Sequence, residues 1–95
     1  MKHYEFYRLV PGTDPVQIQE KIWKTFRKLD DELAWLNKPV IVRCCEGTGA
    51  SFDLMASFEL EKEEQVAEYQ ALPQVEKLRG KILEFVEDKA TFDHY

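Results

Sequence analysis

The chain has 95 residues, 44% of them hydrophobic and 33% charged, with a formal net charge of -5. This length accommodates one domain, residues 1–95, with a single small core, and the composition excludes an intrinsically disordered chain. A net negative balance without clustered Lys and Arg also excludes a phosphate-backbone partner, so no nucleic acid is expected.

The opening MKHYEFYRLV lacks an apolar stretch of signal-peptide length, and no run approaches the roughly 20 apolar residues of a membrane span. A cytoplasmic protein with no membrane partner is expected. Residues His3 to Val10 alternate and are rich in aromatics, which predicts a first strand ended by Pro11-Gly12-Thr13. Asp14 is a good N-cap, Pro15 suits the first helical position and Gln17 follows three after the cap, so a helix is predicted to start there. Ile18, Ile22, Phe26, Leu29, Leu33 and Leu36 keep helical spacing and form one apolar stripe. Trp23 and Trp35 lie at its edges and read as packing or interface residues.

Asn37-Lys38-Pro39 is expected to break this helix, Val40 to Glu46 to form a second strand, and Gly47-Thr48-Gly49 to turn the chain. Ser51 to Leu60 reads as the third strand. Phe52, Leu54, Ala56, Phe58 and Leu60 form its apolar face, with Asp53, Met55, Ser57 and Glu59 opposite. A second helix is predicted from about Lys62 and is interrupted by Pro73. A further helix from Gln74 to Phe85 carries Val75, Leu78, Ile82 and Phe85, and Glu87 to Tyr95 closes as a fourth strand whose last residues, His94 and Tyr95, are expected to fray.

The order strand, helix, strand, strand, helix, strand is the ferredoxin-like α+β plan, with helices over one face of a four-stranded antiparallel sheet. The uncovered face would carry Tyr4, Phe6, Val10 and Met55, which predicts a homodimer closed sheet to sheet into a barrel. Cys44 and Cys45 fall on the predicted second strand, where successive side chains point to opposite faces, so they read as reduced thiols. Two isolated histidines and no clustered carboxylate pattern give no metal-ligand set.

The set His3, Tyr7-Arg8, Pro11-Gly12-Thr13, Phe52-Asp53-Leu54, Glu68-Tyr69-Gln70, Pro73 and Phe92-Asp93, in that order, resembles the stress-responsive A/B-barrel (Dabb) domain over nearly the whole chain. The resemblance implies a homodimeric α+β barrel with a cavity between helices and sheet in each subunit. The family includes a plant polyketide cyclase that works without a cofactor through a Tyr-x-x-His-Pro-x-His segment on the second helix. Here the segment is Tyr69-Gln70-Ala71-Leu72-Pro73-Gln74-Val75, so Leu72 and Val75 stand where that cyclase has histidines. Neither can exchange a proton. The cyclase's pocket histidine on the third strand corresponds to Leu54.

By the same resemblance, His3, Glu5 and Tyr7 on the first strand face the cavity, Leu54 and Ala56 line it from the third, and Tyr69, Val75 and Leu78 close it from the helices. This set could bind a small apolar or aromatic ligand, with no cofactor. His3, Glu5 and Tyr69 could form a catalytic acid-base set, since a carboxylate among apolar neighbours has its charged form disfavoured. The simpler alternative pairs Glu5 with Lys89 on the closing strand, makes His3 a hydrogen-bonded strand-end residue and makes Tyr69 core. Three functions are therefore in view: a ligand-binding dimer, a cofactor-independent cyclase, isomerase or monooxygenase, and a stress-protective assembly protein.

Overall fold

The computed structural model describes residues 1–95 as four strands and three helices. In chain order they are β1 (Lys2–Leu9), α1 (Pro15–Glu32), β2 (Leu36–Arg43), β3 (Leu54–Leu60), α2 (Glu64–Ala71), α3 (Pro73–Ile82) and β4 (Val86–His94), with a 3-10 turn at Leu83–Phe85 leading into β4. The strands form one sheet in the order β2-β3-β1-β4, and every neighbouring pair is antiparallel. This is the ferredoxin-like arrangement, with the second helix of the plan divided at Pro73 into α2 and α3.

Strand alternation decides which side chains meet the helices. On β1 it buries His3, Glu5, Tyr7 and Leu9, and on β3 it buries Leu54, Ala56, Phe58 and Leu60. Against them pack Ile18, Ile22, Phe26 and Leu29 of α1, Tyr69 of α2, and Val75, Leu78 and Ile82 of α3. Three aromatic rings join the layers: Phe58 lies 5.2 Å from Phe26 and 4.6 Å from Tyr69 between ring centres. α1 starts as its sequence requires, with the Asp14 carboxylate accepting a hydrogen bond from the Val16 N–H at 3.0 Å and Pro15 at the first turn. The opposite face of the sheet has no helix over it. There Tyr4, Phe6 and Met55 are half-buried, while Val40, Val42 and Phe92 are exposed. No helix is long and apolar enough to cross a membrane.

Several boundaries differ from the sequence expectation, each for a tertiary reason. α1 stops at Glu32, where the Leu33 N–H still reaches the Leu29 carbonyl at 2.8 Å. Leu36 therefore begins β2 instead of extending the helical stripe, and it is fully buried opposite Leu60. Asn37-Lys38-Pro39 does not separate helix from strand but forms an irregularity inside β2. The register shifts between Asn37 and Val40, and Lys38 adopts a left-handed φ of 53°. Pro39 has no N–H to lose, which suits it to such a position.

β3 begins at Leu54, not Ser51. Phe52, placed by alternation on the buried face, instead packs against Phe6 on the open face at 5.7 Å. The cause lies with Asp53, whose carboxylate accepts the Leu9 N–H at 2.7 Å while its own N–H donates to the Tyr7 carbonyl at 2.8 Å. Cys44 and Cys45 lie beyond the end of β2, not on it, and both are exposed free thiols. His94 is not frayed: it pairs with Lys2 within β4, and its ring stacks on Tyr4 at 5.6 Å.

Candidate functional site

The β1 alternation that builds the core also drives a polar row through it. His3 is fully buried, and each ring nitrogen meets a carboxylate: Nδ1 lies 2.6 Å from Asp93 Oδ1 and Nε2 lies 3.0 Å from Glu5 Oε2. Two acceptors on one ring require hydrogen on both nitrogens, which is the imidazolium form. Burial opposes that charge, but the hydrogen bonds and attraction of Glu5 and Asp93 outweigh it and hold the His3 pKa above its ordinary value. Asp93 is brought to His3 by the β1–β4 register, in which the two residues are direct partners.

Glu5 is only 2% exposed. Its burial favours the neutral acid, yet the His3 hydrogen bond, the Lys89 charge and the Tyr7 hydroxyl together pull its pKa below the ordinary value. The Tyr7 hydroxyl donates to Glu5 Oε1 at 2.5 Å. Lys89 Nζ stands 3.9 Å from Glu5 Oε2, at the outer limit of an ion pair, and 5.4 Å from the centre of the Tyr7 ring. Glu5 is therefore bound first to His3 and Tyr7, with Lys89 as a more distant counter-charge. Burial and then the Glu5 charge push both the Tyr7 and the Tyr69 hydroxyls well above the usual tyrosine value, so both remain neutral donors.

Beside this row lies a cavity of about 190 Å³ bounded by β1, β4, α2 and α3. Glu5, Tyr7 and Tyr69 give it polar atoms. Val75, Leu78, Ile82, Leu83 and Val86 give it an apolar wall, and Arg79 and Lys89 place two cations on its lining. Glu5, Tyr7, Tyr69, Val75 and Leu78, which the sequence named, thus border one space. His3 does not; it stands behind Glu5. Leu54 and Ala56 are core residues outside the lining: they are the β3 register partners of Tyr7 and Glu5, and β3 lies across β1 from β4, which borders the cavity. Sequence reasoning missed Arg79, Ile82, Leu83 and Val86 as lining. Ile82 was visible in the α3 stripe, but the position of Val86 depends on the 3-10 turn before β4.

No protein-family model and no curated protein matches the sequence. Solved structures match its fold. A dimeric protein of unknown function and ferredoxin-like fold from Bacteroides fragilis aligns with a TM-score of 0.82 over 98% of this chain and 92% of its own, at 14% identity. A dabb family protein with a ferredoxin-like fold from Mesorhizobium loti aligns at 0.72, over 99% and 93%, with 13% identity. The chain has the fold of a Dabb-type domain. The hydroxynitrile lyase from Passiflora edulis shares this fold at a TM-score of 0.75, over 98% of this chain and 89% of the lyase, with 10% identity.

Proposed function

We propose that this Dabb-type chain is a homodimeric binding module that holds a small, mainly apolar molecule in the cavity beside Glu5. The observation that carries this reading is an apolar cavity whose few polar groups converge on one ionised carboxylate. At about 190 Å³ it is smaller than the roughly 300–1,000 Å³ of sites for drug-sized ligands, so the occupant is a compact molecule. Glu5 spends one acceptor position on Tyr7 and one on His3. The remaining lone pairs suit a hydroxyl or N–H donor of the ligand, with the neutral Tyr69 hydroxyl beside it.

Binding is favoured over turnover by the same electrostatics. A carboxylate whose pKa is lowered is a poor general base, and Val75 supplies no proton-transfer partner to Tyr69. The alternative, a cofactor-independent enzyme using His3, Glu5 and Tyr69, is supported by the occurrence of the fold in the Passiflora lyase. Dimerisation through the open sheet face is supported by its apolar residues and by the dimeric state of the Bacteroides protein.

Native mass spectrometry of protein purified from its host tests the binding reading: a co-purified small molecule lost from Leu78→Trp, which fills the cavity, is the expected result. If a screen of carbonyl substrates gives turnover that Glu5→Gln abolishes in folded protein, the enzyme reading replaces it.

A further inference from the structure

The hairpin loop between β2 and β3 holds a second set of chemically capable side chains, far in sequence from the residues around Glu5. Cys44 and Cys45 are both exposed and unpaired. β2 ends at Arg43 and the last backbone bond across the hairpin is from the Cys44 N–H to the Asp53 carbonyl at 2.8 Å, so Cys45 lies beyond the pairing and strict strand alternation is not imposed on the two side chains. Both residues border one open cleft of about 700 Å³, which the loop forms with Pro15 and Gln19 at the start of α1. The Cys44 Sγ lies 3.4 Å from the Thr48 hydroxyl and 3.3 Å from the Cys45 carbonyl oxygen, which turns this thiol over the return of the loop. Gly47 and Gly49 take positive φ values of 75° and 70°, giving the loop its tight return.

We propose that Cys44 and Cys45 form a chelating dithiol site for a trivalent organoarsenical or a similar thiophilic metalloid centre. Spacing selects this chemistry over a disulfide. Consecutive Cα atoms across a trans peptide are about 3.8 Å apart, below the roughly 4.4 Å lower limit of ordinary disulfides, and no peptide bond in the chain is cis. A direct S–S bond between neighbours is therefore strained, whereas an intervening arsenic atom lengthens the bridge and relieves that strain. With an arsine oxide, R–As=O, two As–S bonds form and two S–H bonds break. The two thiol protons leave with the oxide oxygen as one water, and arsenic stays trivalent, so no oxidant or reductant is needed. The cleft beside the thiols leaves room for the organic group R.

The probe is phenylarsine oxide added to the reduced full-length chain, read by intact-mass spectrometry. The expected result is one adduct per chain with loss of one water, which persists in excess 2-mercaptoethanol and is removed by 2,3-dimercaptopropanol. Cys44→Ser and Cys45→Ser each leave a single thiol, and each should weaken retention against the monothiol roughly a hundredfold, because the second As–S bond forms at high effective concentration. Both side chains are exposed, so circular dichroism of the variants should match the parent. Absence of a parent adduct, or equal retention by a single-cysteine variant, overturns the proposal.

Discussion

At the scale of single residues, a few charges sit where the strand pattern alone would place hydrophobic side chains. His3 and Glu5 are tolerated in the core because each has specific partners, and no buried side-chain nitrogen or oxygen is left without one. Removing one partner should therefore cost far more than a surface salt bridge is worth. Glu5→Gln is expected to lower stability by roughly 3 kcal/mol in urea unfolding, as for a broken buried ion pair. A loss under about 1 kcal/mol would show that Asp93 alone satisfies the imidazolium.

The pH dependence follows from the two shifts. His3 is raised from 6.5, so its contribution is complete below 6.5 and is lost as pH rises through its folded value. Glu5 is lowered from 4.5, so its contribution is complete above 4.5 and is lost as pH falls through its folded value. The pair stabilises most fully between 4.5 and 6.5. Urea midpoints measured from acid to alkaline buffers should decline on the alkaline side, and His3→Gln should flatten that decline. Tyr69→Phe removes one neutral donor from the cavity. It should weaken a bound polar ligand by roughly 0.5 to 1.5 kcal/mol in calorimetry, with little change in melting temperature.

At the scale of elements, the ends of helices and strands are held by side chains that substitute for backbone partners. The residue before α2, Glu63, makes no side-chain cap. Instead the buried Gln65 turns back, and its Oε1 accepts the N–H groups of Glu61 and Lys62, both at 2.8 Å. One amide thus supports the connection between β3 and α2. Gln65→Ala should cost about 1–2 kcal/mol, since two donors lose their acceptor together. Amide hydrogen exchange should show the loss locally, with faster exchange at Glu61 and Lys62 and unchanged protection in α1. Asp53 plays a comparable part for β1 by accepting the Leu9 N–H.

At the scale of the whole molecule, the sheet has one face covered by three helices and one face bare. Tyr4, Phe6, Met55, Val40, Val42 and Phe92 make that bare face apolar over a breadth that a lone soluble chain seldom exposes. Light scattering across micromolar concentrations should give the mass of a dimer. Phe6→Glu places a charge among Tyr4, Phe52 and Met55 and should shift the protein to monomer without unfolding it. A parent chain that is monomeric at every concentration would remove the dimer from the proposed function while leaving the cavity within each subunit intact.

Periodicity in the chain already specified the sequence of elements, the start of α1 at Asp14-Pro15 and the shared face of His3, Glu5 and Tyr7. These are properties of neighbouring dihedral angles and side-chain spacing, which a local stretch carries by itself. It did not specify that Leu36 is a strand residue, that Phe52 crosses to the open face or that Cys44 and Cys45 leave the strand. Each of those depends on hydrogen bonds to residues remote in sequence, such as Leu36 opposite Leu60 or Asp53 beside Leu9. The candidate site divides in the same way. Glu5, Tyr7 and Tyr69 were legible from alternation and resemblance, whereas Asp93 meets His3 only because β4 pairs with β1 in one register. A one-residue slip of that register would turn Asp93 to the open face and leave the buried imidazole without its second carboxylate.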